Sequence, residues 1–243
     1  MANKAKAAER AERAAALLAE QKAKQRKRNI VTAVSVAGVL AVLVAAAIFI
    51  GTLGGDDEGG TFDGPAAGES EYGMTVGDPE APHQLIVYED FLCPACGAFE
   101  QATNEDLEAL AESGDVYIDY RPFVLLSQFG DYSGRAAQAF GVVLEESGPE
   151  VAKEFHDLLF ANQPEEGAES YPDSTALIDL AVQAGADEAA VTPGIEAGEG
   201  DFSEGGTEEA QDSSVSSTPT LVLDGSFFEV QQSWEELLTE LRS

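Results

Sequence analysis

The sequence predicts a mixed α/β domain that contains a helical insertion and follows a single transmembrane helix. Three observations predict this fold class. Residues 30–53 carry no charged side chain, and from residue 74 onward short strand-type apolar runs alternate with longer helical patterns. Nine of the 13 Lys and Arg residues precede residue 29, which leaves 42 acidic and four basic residues in the rest of the chain.

The uncharged run predicts a transmembrane helix over residues 29–53, because about 20 apolar residues suffice to cross a membrane. Basic residues flank only its N-terminal side, and acidic residues follow its other end. The positive-inside rule therefore makes residues 1–28 a basic cytoplasmic segment and places the C-terminal domain on the extracytoplasmic side of the cell membrane. A cleaved signal peptide is the alternative, although the apolar run exceeds the usual length of such a segment.

Residues 54–73 are rich in Gly and acidic side chains and predict a flexible acidic linker. The remaining residues, 74–243, are enough for a single sizeable core. The chain beyond residue 28 has an excess of 38 negative charges. Nucleic acid is therefore not expected as a partner, because contacts with phosphates need a basic surface.

The elements of the domain follow from local patterns and their Gly and Pro boundaries. The predicted order is a strand at 84–88, a helix at 94–111, a strand at 116–120, a helical insertion at about 131–200, a hairpin of strands at 220–223 and 227–230, and a helix near the C-terminus. Residues 194–209 are rich in acidic side chains and are interpreted as solvated surface.

The only two cysteines, Cys93 and Cys96, are separated by two residues. A disulfide between them closes too short a loop to be a useful structural cross-link. A zinc site is not predicted, because His83 and His156 stand at no recognised metal spacing, and haem attachment needs a histidine where the chain has Gly97. Redox exchange is the best interpretation, with the disulfide itself as the redox group and no other cofactor or metal expected.

The surrounding pattern predicts which sulfur reacts. A strand precedes the motif and a helix begins at Pro94, so Cys93 lies at a helix N-terminus, where unpaired N–H groups and the helix dipole favour a thiolate. Cys93 is therefore the expected nucleophile. Pro94 fits the first helical turn, Ala95 only leaves room, and Cys96 is the less exposed partner that resolves a mixed disulfide.

The segments YEDFLCPACGAFE and SSTPTLVLDG, with the helical insertion between them, resemble the DsbA-like branch of the thioredoxin superfamily over nearly all of residues 75–243. The resemblance implies a thioredoxin fold whose inserted helical domain caps the site. It implies Cys93 as nucleophile, Cys96 as its partner, and Thr218 and Pro219 as a cis-proline loop that shapes substrate binding. It also implies exported proteins with cysteines as clients.

Two positions depart from this family's pattern, and both bear on redox tuning. The family usually has a buried carboxylate six residues before the first cysteine, where this chain has Val87. Glu89 lies on the same strand face and is either its substitute or an exposed acid at a strand end. Ala95 replaces the histidine of the most oxidising members, which predicts weaker oxidising power. His156 is interpreted as a histidine on a helix surface.

These features predict a protein disulfide oxidoreductase that oxidises cysteines of secreted proteins and is reset by a membrane redox partner. A disulfide reductase or isomerase fed by a membrane electron donor is the main alternative, because the motif does not fix the direction of exchange. A tethered binding module without enzymatic activity is a further alternative. The CxxC motif and the Thr-Pro loop favour the enzyme, since a binding module needs neither.

Overall fold

The computed structural model describes residues 60–229 and 233–243. Within this part the chain forms a five-stranded mixed sheet in the order β1-β3-β2-β4-β5. The central strands β2 and β3 are parallel, and the other neighbouring pairs are antiparallel. The strands are β1 (Met74–Val76), β2 (His83–Glu89), β3 (Val116–Pro122), β4 (Thr220–Leu223) and β5 (Ser226–Phe228).

The helices agree with the order predicted from the sequence. One helix follows β2, five lie between β3 and β4 as the predicted insertion, and one ends the chain. They are α1 (Pro94–Ser113), α2 (Tyr132–Ser147), α3 (Pro149–Ala161), α4 (Ser174–Ala184), α5 (Glu188–Ala197), α6 (Asp201–Asp212) and α7 (Glu235–Glu240). The predicted mixed α/β fold with a helical insertion is confirmed.

The membrane-related predictions fall on another part of the chain. No helix within residues 60–229 and 233–243 combines the length and apolar character needed to cross a membrane. The predicted cytoplasmic segment, 1–28, and the predicted transmembrane helix, 29–53, lie outside the described residues.

Strand β2 is buried on both faces and so separates two hydrophobic clusters. Leu85 and Val87 point into the larger cluster, which also includes side chains of α1, α2 and α3. Ile86 and Tyr88 point to the opposite face, into a smaller cluster. This alternation follows from the two-residue period of a strand. Glu89 follows Val87 by two residues, so β2 directs its side chain toward the larger cluster.

Helix α1 carries the redox motif at its first turn, and local sequence explains where it starts and stops. Pro94 is its first residue, a position where the missing N–H of proline costs nothing. Gly114 ends it with φ of 82°, a left-handed conformation that glycine adopts without steric penalty. The buried residues recur every three or four positions and form one face against the sheet: Cys96, Phe99, Glu100, Thr103, Leu107, Leu110 and Ala111.

The N-terminal part of the described chain, residues 60–73, packs on the domain. Thr61 forms a bridge with Ser226 at the edge strand β5, and the buried ring of Phe62 packs against two aromatic rings, those of Tyr88 and Phe227. The prediction of a flexible linker is wrong for this segment, because its apolar ring and backbone groups find partners on the sheet. Residues 54–59 lie outside the described part.

A buried arginine holds the same segment to the sheet. The Arg121 guanidinium donates to Asp119 Oδ2 at 2.8 Å, to Tyr88 Oη at 2.9 Å and to the carbonyl of Ala66 at 2.7 Å. The Gly68 N–H donates to the same Asp119 oxygen at 2.9 Å. Arg121 and Asp119 are both almost fully buried, so each needs the other as a charge partner.

Helix α6 extends the insertion to residue 212, beyond the predicted end near 200. Part of this helix falls in the acid-rich run 194–209, for which the sequence predicts solvated surface. The face that α6 buries consists of small residues, Ser203, Gly206 and Ala210. Hydrophobic periodicity cannot detect such a face, since burial here depends on close approach of the helix rather than on large apolar side chains.

We expect Arg121→Met to lower the free energy of unfolding by roughly 3–5 kcal/mol, because it leaves the Asp119 carboxylate buried without a cation. The matched control is Arg242→Met, because the partners of Arg242, Asp106 and Glu235, are exposed. This variant should lose less than about 1 kcal/mol of unfolding free energy. Urea unfolding of both variants measures the two losses. Equal losses would contradict the role given to the Arg121 network.

Candidate active site

The two cysteines lie at the junction between β2 and α1. Cys93 is the residue just before α1, in an extended conformation, and its N–H donates to the carbonyl of Asp90 at 2.8 Å. Both cysteines are free thiols in this structure. Cys93 retains 8% of its surface and Cys96 none. Cys93 therefore keeps a small exposed fraction, whereas Cys96 lies wholly inside the fold.

The site favours a thiolate at Cys93. A hydrogen bond from the Cys96 thiol is the largest cause that lowers the pKa of Cys93, and backbone N–H groups of Cys96 and Ala95 act in the same direction. Burial opposes them, but the pKa of Cys93 still falls to about 6. At neutral pH this sulfur is therefore largely ionised and nucleophilic.

Cys96 has the opposite electrostatics. Burial is the largest cause that raises the pKa of Cys96, and the negative charges of Cys93 and Glu89 raise it further. Cys96 therefore stays protonated while Cys93 is a thiolate. The two sulfurs of one motif thus have different protonation states, which suits their predicted roles of nucleophile and resolving thiol.

The Thr-Pro loop lies beside the reactive sulfur. The peptide bond between Thr218 and Pro219 is cis, as the family resemblance implied. The carbonyl oxygen of Thr218 lies 3.5 Å from Cys93 Sγ. Strand pairing explains this placement, because β4 begins at Thr220, which pairs with Tyr88 near the end of β2.

Asp90 organises the loop between β2 and Cys93, and sequence reasoning did not single it out. Its fully buried carboxylate accepts hydrogen bonds from the Leu92 N–H at 2.8 Å and from the Ser133 hydroxyl at 2.7 Å. It also accepts from the N–H groups of Leu125 and Leu126, both at 2.9 Å. An acid between a strand and the CxxC motif was the only sequence signal for this role.

Gln163, just beyond α3, was also missed. Its side-chain amide donates to the carbonyls of Phe91 at 3.1 Å and Cys93 at 2.9 Å. The insertion therefore contacts the backbone of the active-site loop directly. A glutamine in a polar stretch gives no sequence signal for such a contact, because its partner carbonyls lie about 70 residues away.

Glu89 and His156 form a buried pair beneath the motif. Both side chains are fully buried, and Glu89 Oε1 lies 2.6 Å from His156 Nε2. The interpretation of His156 as a helix-surface residue is wrong, because His156 lies on the same buried face of α3 as Ala152, Phe155 and Leu159. The rings of Phe91, Tyr120, Phe140 and Phe160 surround the imidazole. The alternative of an exposed Glu89 is also wrong, because its side chain at the end of β2 is fully buried.

Acidic side chains surround the imidazole of His156. Burial opposes protonation of His156, but the carboxylates of Glu89, Asp157 and Glu100 outweigh it and raise the pKa of His156 to about 10. Burial raises the pKa of Glu100 to about 8. His156 is therefore held as a cation next to Glu89, and this ion pair lies close enough to Cys96 for Glu89 to act on its pKa.

Two surface grooves adjoin the redox motif. One of about 610 Å³ runs along the start of α1 and is lined by residues that include Pro94, Gly97, Glu100, Asp157 and Gln163. The other, of about 490 Å³, adjoins the Thr-Pro loop and is lined by residues that include Pro219, Thr220, Leu221, Phe228 and Trp234. The second groove offers apolar and aromatic side chains to a bound chain.

Residues 69–242 match the family model described as thioredoxin. The chain belongs to the thioredoxin family. Two solved structures from Mycobacterium tuberculosis are similar to it: the reduced disulfide bond oxidoreductase DsbG, 31% identical with a TM-score of 0.62, and oxidised DsbA, 31% identical with a TM-score of 0.61. The first match covers 70% of this chain and 86% of that one, and the second covers 70% and 91%. The prediction of an oxidoreductase enzyme is confirmed by these matches.

Matches of lower identity or lower coverage support narrower conclusions about this chain. BdbD from Bacillus subtilis is 21% identical, with a TM-score of 0.62 over 74% of this chain and 97% of that one, and it supports the thioredoxin fold alone. The serine/threonine-protein kinase PknE of M. tuberculosis is 28% identical over 125 residues, which is 49% of this chain. This chain covers only 22% of the length of that kinase, so the match concerns one segment of a longer protein.

We expect the Cys93 thiol to titrate near pH 6, since a hydrogen-bonded thiolate at a helix N-terminus is stabilised relative to the thiol. The thiolate absorbance of the reduced chain, followed against pH, measures this midpoint. Cys93→Ala should remove the transition. Cys96→Ala should keep the transition but shift its midpoint to a higher pH, because the donor thiol is lost. A midpoint at or above about 8.5, the value of a free cysteine, would contradict the assignment of Cys93 as nucleophile.

Proposed function

We propose that this thioredoxin-family chain is an extracytoplasmic thiol–disulfide oxidoreductase that oxidises cysteines of exported proteins through the Cys93–Cys96 pair. The observation that carries the proposal is the contrast between the two sulfurs. Cys93 is partly accessible, has a lowered pKa and faces the carbonyl of Thr218, whereas Cys96 is fully buried with a raised pKa.

In the proposed reaction the chain starts with a Cys93–Cys96 disulfide. A client thiolate attacks Cys93 Sγ, which forms a mixed disulfide and releases Cys96 as a thiol after protonation. A second client thiolate then attacks the client sulfur of the mixed disulfide and releases the Cys93 thiolate. The client loses two electrons and gains a disulfide, while the chain gains two electrons. The low pKa of Cys93 makes it a good leaving group in the last step.

The direction of exchange follows from which redox form the protein stabilises. A thiolate held at Cys93 stabilises the reduced pair, and a stable reduced pair is an oxidising one. This favours the oxidase. Ala95 favours the alternative of a reductase or isomerase, since it is exposed and gives Cys93 no additional side-chain donor. The redox group in either direction is the cysteine pair itself, and the exchange calls on no added cofactor.

We propose that clients bind as extended chains along the Thr-Pro loop. The groove beside Pro219 contains Leu221, Phe228 and Trp234, which suit apolar client side chains. Thr218 would position the client backbone, because its carbonyl already lies next to Cys93. Gln163 on the opposite side would keep the Cys93 backbone fixed during attack.

We propose that a single membrane span anchors the chain, with the N-terminus in the cytoplasm. It is supported by the uncharged run 30–53 with its basic N-terminal flank. Exported proteins with cysteines are the proposed clients, and a membrane redox partner would restore the disulfide after each turnover. The acidic domain is not proposed to bind nucleic acid.

We expect Cys96→Ala to accumulate mixed disulfides with client proteins, because Cys93 can still be joined to a client but cannot be released within the motif. Cys93→Ala should accumulate none. Non-reducing gels and mass spectrometry of the purified full chain, incubated with a reduced and unfolded cysteine-containing protein in a glutathione redox buffer, give the comparison. The double variant with both cysteines replaced by alanine supplies the blank.

Equal trapping by the two single variants would refute the assigned roles. Trapping by neither of them would refute disulfide exchange as the activity of this pair.

A further inference from the structure

Buried oxygen atoms without a hydrogen-bond partner are concentrated around His156. The residues that the structure describes contain seven buried side-chain polar atoms of this kind. Four of them belong to three residues whose charges or rings act on His156 or on one another: Glu89 Oε2, Glu100 Oε1, Glu100 Oε2 and Tyr120 Oη. Buried polar atoms in folded proteins normally have partners, so such a concentration needs an explanation.

The cluster is assembled from three separate elements. Glu89 ends β2, Glu100 lies in the second turn of α1, and His156 lies in the middle of α3. One potential ligand atom from each of the three lies within 4.8 Å of the other two. All three side chains are at least nine-tenths buried. Their convergence inside the fold distinguishes them from the exposed acidic residues of this chain.

The existing ion pair accounts for only part of the cluster. Glu89 Oε1 and His156 Nε2 share one hydrogen bond at 2.6 Å, which leaves the other Glu89 oxygen and the whole Glu100 carboxylate without a partner. The second imidazole nitrogen, Nδ1, lies 2.9 Å from Asp157 Oδ1. A carboxylate on one nitrogen that orients the other nitrogen inward is the usual second shell of a metal-binding histidine.

The surrounding charges favour a cation at this point. Lys153 is the nearest ammonium group, and it is already engaged by Glu108 at 2.6 Å and by Asp157 at 2.8 Å. Glu89 is therefore paired at close range with His156, whereas the Glu100 carboxyl group, whose pKa burial raises to about 8, has no hydrogen-bond partner. Two carboxylates and a neutral imidazole neutralise one divalent ion.

We propose that Glu89, Glu100 and His156 bind a divalent transition-metal ion of the zinc type. Imidazole nitrogen and carboxylate oxygen are both zinc ligands, at distances of about 2.0–2.2 Å. The ion displaces two protons to solvent, the one shared by Glu89 and His156 and the one on Glu100. Glu100 has no hydrogen bond to break and completes the set. The groove beside α1 is lined by Glu100 and Asp157, and it therefore adjoins the site.

This site goes beyond the proposed disulfide exchange, and the sequence pattern had predicted no metal. Cysteines and histidines at local spacings form no such set in the sequence. The present set draws two of its three ligands from carboxylates and spans 67 positions between Glu89 and His156. Its test must keep the cysteines from binding the metal, because a free dithiol is itself a zinc ligand.

The test is calorimetric titration of the purified, metal-free full chain with Zn²⁺, carried out with the Cys93–Cys96 pair oxidised. We expect one ion per chain for the unmodified protein and at least tenfold weaker binding for Glu100→Gln and His156→Gln. Asp157→Asn should weaken binding by roughly 10–100-fold, the usual effect of removing a second-shell carboxylate. The matched control is His83→Gln, which removes the other histidine of the chain and should leave the affinity unchanged.

Glu100→Gln keeps the test independent of folding, because this carboxylate makes no hydrogen bond that the variant would break. Its melting temperature without metal should equal or exceed that of the unmodified chain, whereas Zn²⁺ should raise the melting temperature of the unmodified chain alone. Equal affinity in Glu100→Gln and the unmodified chain would overturn the proposal. Binding that appears only after reduction of the disulfide would assign the metal to the cysteines and would equally overturn it.

Discussion

The stabilisation of negative charge on Cys93 at the start of α1 is the interaction on which the rest of the site depends. The helix supplies backbone N–H groups, and its first turn supplies the Cys96 thiol as a further donor. A strand that ends at Glu89 and a proline at the first helical position fix where that helix begins. Remaining contacts of the site hold this junction in place, since a displaced helix start would lose the stabilised thiolate.

Three parts of the fold that are distant in sequence secure the junction. The insertion contributes Gln163, which binds the carbonyl of Cys93, and Ser133, which binds Asp90. The antiparallel pairing of β4 with β2 brings Thr218 to the sulfur. The insertion is therefore more than a cover over the site, because its side chains help to set the conformation of the loop that carries the nucleophile.

The sequence predicted those features that depend on local patterns. The CxxC spacing, the proline at the start of α1 and the Thr-Pro loop before β4 were all visible, because each is a short motif with a defined conformational effect. The burial of His156 was not visible, since it depends on Glu89 reaching it from another element. Helix α6 and the packed segment 60–73 escaped prediction because small residues and a single phenylalanine carry their burial.

The lowered pKa of Cys93 stabilises the reduced pair, and under the proposed function this makes the chain an oxidant. Equilibration of the full chain with glutathione buffers of graded composition, followed by separation of its reduced and oxidised forms, measures the reduction potential directly. We expect a value nearer to that of DsbA, about −120 mV, than to that of thioredoxin, about −270 mV. A value at or below that of thioredoxin would contradict this expectation and would favour a reductase.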